Sequence, residues 1–117
     1  MITSQFANQF AQEWLHSWNS HNLDLILSHY ADDFEMISPY IATITGDPSG
    51  TLRGKKAVGQ YWGAALAKYP GPCFDLRQVL VGVQSAVIYY QGISGMAAET
   101  FEVNQEGKVI KSIAHCE

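Results

Sequence analysis

The sequence predicts an α+β domain, three N-terminal helices packed on one curved, mostly antiparallel sheet in a cone-shaped arrangement. Three observations carry this. Apolar residues recur at helical spacing in the first part of the chain and at strand spacing after residue 74, and helices followed by strands mark segregated α+β rather than a doubly wound fold. The 117 residues suffice for one hydrophobic core and are short for two, so residues 1–117 form a single domain. Apolar residues make up 47%, which suits a globular chain and not a disordered one.

Each element follows from local pattern. Residues 4–20 form an amphipathic helix, because Phe6, Phe10, Trp14 and Trp18 recur every fourth position and Ala7, Ala11 and Leu15 widen the stripe. Ser4 is the expected N-cap. A shorter helix through Leu23, Ile26, Leu27 and Tyr30 follows, capped by Asn22, with Asp32 and Asp33 turning the chain at its end. Residues 34–38 are extended and stop at Pro39. Gly46, Asp47, Pro48, Ser49 and Gly50 mark an exposed loop. Residues 55–68 form the third helix, with Val58, Tyr61, Trp62 and Leu66 on its buried side, and Pro70-Gly71-Pro72 ends it. Four strands then run through 74–83, 86–92, 96–104 and 108–116, the last two joined by a turn with Gly107 at the positive-φ position.

Composition narrows the function. A formal charge of −4 and no basic run beyond Lys55-Lys56 argue against a nucleic-acid partner. No stretch has the length and apolarity of a membrane span, and the N-terminus lacks the pattern of a secretion signal, so a cytoplasmic setting is expected. Cys73 and Cys116 match no metal-ligand spacing, and neither do His16, His21, His29 and His115. No metal and no cofactor are expected.

Three segments carry a resemblance: Tyr30-Ala31-Asp32-Asp33-Phe34 with Ser38-Pro39 after it, residues 52–62 beginning Leu52-Arg53-Gly54, and the closing residues 100–109. Together they resemble the nuclear transport factor 2 (NTF2)-like superfamily. Their order and spacing are similar to the SnoaL-like branch, which includes polyketide cyclases and ketosteroid isomerases. The resemblance implies a cone with an apolar pocket at its open end, and a homodimer through the sheet face, with Tyr89, Ile93 and Ile113 as candidates. It does not extend to the isomerase machinery. Ser38 stands where the isomerase base is an aspartate, and a neutral hydroxyl cannot take a proton from carbon unaided. Trp14 stands where a tyrosine stabilises the enolate. The isomerase's third group, a protonated carboxyl on the penultimate strand, falls on Glu99.

Glu99 is the candidate catalytic residue. It shares its strand face with Ala97, Phe101 and Val103, so its carboxyl is held protonated, paired with a cation such as Arg77, or solvated at the mouth of the cone. Trp14, Trp18, Tyr61 and Trp62 are candidate ligand-binding residues from the helices. Tyr30, Met36, Ser38 and Phe101 are candidates from the rest of the chain. Histidine is a common acid or base, and His29, next to Tyr30, is a secondary candidate. The expected function is cofactor-independent acid/base chemistry of isomerase, cyclase or hydrolase type on a small apolar carbonyl compound. The alternative is a module that binds an apolar ligand, or another protein, and does no chemistry.

Overall fold

A computed structural model describes residues 1–69 and 73–117. Helix α1 (Ser4–Asn19) and the short α2 (Leu23–Leu27) lead into strand β1 (Tyr30–Ile37). Helix α3 (Pro39–Thr45), strand β2 (Thr51–Arg53) and helix α4 (Gly54–Lys68) follow. The chain ends in β3 (Asp75–Val81), β4 (Ser85–Gln91), β5 (Met96–Val103) and β6 (Val109–Cys116). The expected stop at Pro70-Gly71-Pro72 lies outside the described residues.

The six strands form one sheet in the order β2-β1-β6-β5-β4-β3. The C-terminal strands pair antiparallel as a meander, and β1 joins β6 in parallel. Alternation along β5 is complete: Ala97, Glu99, Phe101 and Val103 face inward and are buried. Trp14, Tyr30, Phe34, Ile26 and Val58 close the core from the other elements.

The structure corrects two local expectations and adds two elements, α3 and β2. Thr3, not Ser4, caps α1, its hydroxyl accepting from the Phe6 amide at 3.0 Å. Tyr30, Asp32 and Asp33 belong to β1 rather than to the end of the second helix, which stops at Leu27. The pairing of β1 with β6 is irregular between Tyr30 and Glu35, and both aspartates point to solvent there.

The expected loop at 46–50 is present, and α3 and β2, which the sequence pattern did not assign, flank it. Ser38 accepts from the Tyr40 amide as N-cap, Pro39 occupies the first turn, and Gly46 ends the helix at φ 76°. Gly50 permits the return to β2. Its φ is 61°, the Ser38 amide donates to its carbonyl at 2.9 Å, and a Cβ there would lie 2.8 Å from the Ser38 carbonyl oxygen.

Candidate functional site

The interior is filled by rings. Trp14 lies 5.2 Å from Phe101, 5.3 Å from Tyr90 and 6.0 Å from Phe74 between ring centroids. Its indole N–H donates to the Tyr30 hydroxyl at 2.9 Å. Trp62 packs against Trp18, Tyr30 and Phe34. These contacts place Trp14, Tyr30, Trp62 and Phe101 in the packed core and Trp18 against it. Met36 is buried in the same core. Ser38 uses its hydroxyl to cap α3.

Glu99 sits on the floor of this interior at 5% exposure. The Tyr90 hydroxyl donates to its Oε1 at 2.8 Å and the Ser112 hydroxyl to its Oε2 at 2.9 Å. Arg77 is not its partner: the guanidinium pairs instead with Asp75 on its own strand, 3.4 Å away. The acid is therefore held by two neutral hydroxyls. Burial raises its pKa above the ordinary carboxylate range, while the hydrogen bonds from Tyr90 and Ser112 and the nearby His115 act in the opposite sense. Burial and the Glu99 charge raise the Tyr90 pKa and the Tyr30 pKa, so both phenols stay protonated at neutral pH.

Tyr90 connects this acid to the outside. It lines a small chamber of about 60 Å³ with Phe74, Ala97, Met96 and Cys116. A second, apolar cavity of about 300 Å³ runs beside α4, lined by Ile44, Tyr61, Ala64, Ala65 and Tyr69. Tyr40, Ile93 and Ser94 belong to both, and the Tyr40 and Ser94 hydroxyls are hydrogen-bonded to each other. Of the candidate catalytic and ligand-binding residues named from sequence, only Tyr61 lines either of these two cavities. Ile93, expected on the outer sheet face, is at this mouth instead.

Sequence reasoning missed Tyr90, Ser112, Tyr40 and Ser94. Two of them had a signal. Tyr90 follows Ile88 on the inward side of a β-branched strand, and Ser112 is a polar residue in phase with Ala114 on β6. His29 lies away from the acid, with Gln12, Glu13, His16 and Lys108 in an open surface groove. Burial lowers its pKa, Glu13 opposes that, and Lys108 adds to it. Cys73 and Cys116 are free thiols. Among the described residues, no cluster of His, Cys, Asp and Glu could hold a metal ion, and no helix is long and apolar enough to cross a membrane.

An antiparallel meander completed by a parallel β1, with helices on its inner face and one acid buried among them, defines an NTF2-like, cystatin-like α+β domain. The SnoaL-like domain family matches residues 11–111, and the chain belongs to that family. It is similar to a SnoaL-like protein of unknown function from Burkholderia thailandensis, with 50% identity, 97% of this chain and 96% of that one covered, and a TM-score of 0.95. More distant likenesses share the fold. One is a candidate isomerase of the SnoaL-like family from Agrobacterium tumefaciens, with 18% identity, coverage of 94% and 96%, and a TM-score of 0.72. Another is AclR, a candidate hydroxylase from Streptomyces galilaeus, with 11% identity, coverage of 98% and 91%, and a TM-score of 0.76. No curated protein matches the chain at a significant level.

Proposed function

We propose that the chain is a cofactor-independent enzyme that activates a small apolar carbonyl compound through the Tyr90–Glu99 pair. The observation that carries this is one buried acid with a raised pKa, hydrogen-bonded to a phenol that lines a cavity. When the Glu99 carboxyl is neutral it donates to the Tyr90 oxygen, and the Tyr90 hydrogen turns toward the chamber. A carbonyl oxygen placed there accepts it. As the α C–H bond breaks and its proton passes to water, the new enol oxygen takes the Tyr90 proton. Tyr90 then takes the Glu99 proton, and solvent restores Glu99.

Hydrogen–deuterium exchange at the α carbon of apolar ketones in D2O, followed by NMR, tests this step. Native protein accelerates exchange, and Glu99→Gln and Tyr90→Phe each lower the acceleration by about 10²–10⁴-fold. Equal exchange in native protein and both variants would sink the reading.

A non-catalytic ligand-binding module is the second reading. The ring-filled interior favours it, because the chamber at Tyr90 is small beside the apolar cavity along α4. Retained ligand affinity without exchange or product would support it.

We also propose a homodimer through the outer sheet face. Leu80, Val87, Thr100, Ile113 and Ile37 align in one row across five strands. Beside it, Glu102, Lys111, Glu35 and Arg53 alternate in sign along their own row, a pattern that a two-fold-related copy can complement. Leu80 is 56% and Tyr89 41% exposed on this face. Native protein is expected at dimer mass by light scattering, and Leu80→Glu with Tyr89→Lys at monomer mass with unchanged circular dichroism. Monomeric native protein refutes the interface.

A further inference from the structure

We infer that the two cavities meeting at Tyr40, Ile93 and Ser94 are the head and body halves of one ligand site. Its ligand is then an elongated apolar molecule with a single carbonyl acceptor at one end. This deepens the reading of Tyr90 as the carbonyl contact and rests on it.

The volumes divide the work. The Tyr90 chamber, about 60 Å³, is far below the size of ordinary small-molecule sites and suits a small polar head such as a carbonyl. The cavity along α4, about 300 Å³, is at the lower bound of ordinary small-molecule sites. Its lining is apolar apart from Ser94, the hydroxyls of Tyr40, Tyr61 and Tyr69, and Lys68, whose ammonium lies 5.4 Å from the Tyr69 ring centroid. Exposure supports a ligand there. Tyr40, Ile44, Tyr69 and Ile93 are 42%, 68%, 42% and 53% exposed, and such contiguous apolar surface marks a binding groove.

The halves are parted by one side-chain hydrogen bond, Tyr40 to Ser94, between α3 and the turn after β4. Tyr40 lines the chamber with Cys116 and the groove with Tyr61, so one ring forms the wall common to both halves. A ligand that rotates it aside passes from α4 to Tyr90 without any strand moving. Neither half alone suits a substrate: the head chamber is too small for an apolar body, and the groove does not include Tyr90.

The test is a ¹⁵N-NMR titration with 2-acetylnaphthalene, which joins a carbonyl head to a bicyclic body. Acetone serves as head alone and 2-ethylnaphthalene as body alone. The expected result is amide shifts at both 92–97 and 64–69 with 2-acetylnaphthalene, shifts at 92–97 only with acetone, and shifts at 64–69 only with 2-ethylnaphthalene. Ala64 is exposed, so Ala64→Trp fills the groove without entering the core. It is expected to weaken 2-acetylnaphthalene by about tenfold or more, with its own spectrum confirming the fold.

Shifts confined to one cavity, unchanged affinity in Ala64→Trp, or no binding of 2-acetylnaphthalene would each overturn the spanning site. Exchange of acetone hydrogens that still depends on Glu99 would then leave the acid/base reading standing by itself. Spanning shifts with no Glu99-dependent exchange would show the reverse.

Discussion

Trp14→Ala lowers the unfolding free energy by about 3–5 kcal/mol, the range for deleting a large buried aromatic. Its side chain is 1% exposed and meets Trp18, Phe74, Tyr90 and Phe101, so its loss opens a cavity bounded by α1, β4, β5 and Phe74 just before β3. Domains of this size have only about 5–15 kcal/mol of stability, so the variant sits near the edge of folding at room temperature. Urea denaturation measures the effect as a lower midpoint at unchanged slope. The companion variant Tyr30→Phe removes only the acceptor of the indole N–H, and the orphaned donor costs about 1–3 kcal/mol. If Trp14→Ala costs no more than Tyr30→Phe, the ring is not the keystone of the core described here.

Glu99→Gln changes how stability depends on pH. In the folded chain the Glu99 carboxyl titrates above its ordinary value of 4.5, chiefly because burial penalises the charge. The folded state therefore holds that proton more tightly than the unfolded state. Its contribution to stability is fully present below the unfolded value and is lost as pH rises through the folded one. Tyr90 from β4, Tyr30 from β1, and His115 and Cys116 from β6 are the titratable groups that interact with it. Both phenols remain neutral across this window, so they do not reverse the sign. Native protein is expected to lose stability from mildly acidic toward neutral pH. Glu99→Gln, which keeps the shape and has no proton to lose, is expected to show a flatter profile and to be the more stable form at the alkaline end. Parallel profiles for the two proteins would mean that Glu99 titrates as an ordinary surface carboxylate.

The acid was legible because strand alternation is local. Ala97, Glu99, Phe101 and Val103 have the same parity, and a carboxyl among apolar residues of one parity is buried wherever that face is buried. That Tyr90 and Ser112, inward on their own strands, pair with it was not legible. Tyr90 and Ser112 reach it from the two neighbouring strands, and which residues stand opposite Glu99 is a matter of register between segments distant in sequence. Helix α3 was legible in principle: Ser38-Pro39 is a start and Gly46 a stop. The cluster of turn residues that follows masked a helix of only seven residues. The aromatic residues of α1 and α4 were placed correctly on buried faces, but periodicity gives the direction of a ring and not whether its neighbours leave space beside it.

From the sequence alone, then, came the class of fold, the order of most elements, the inward face of β5 and the buried acid on it, because each depends on spacing within one segment. Tertiary structure decided that the rings of Trp14, Tyr30, Trp62 and Phe101 fill the interior. It also decided that Tyr90 rather than Glu99 faces the cavity, and that Tyr40 and Ser94 meet across its mouth. Those facts depend on contacts between residues as distant in sequence as Trp14 and Phe101, and close packing of side chains from separate elements is what sets them.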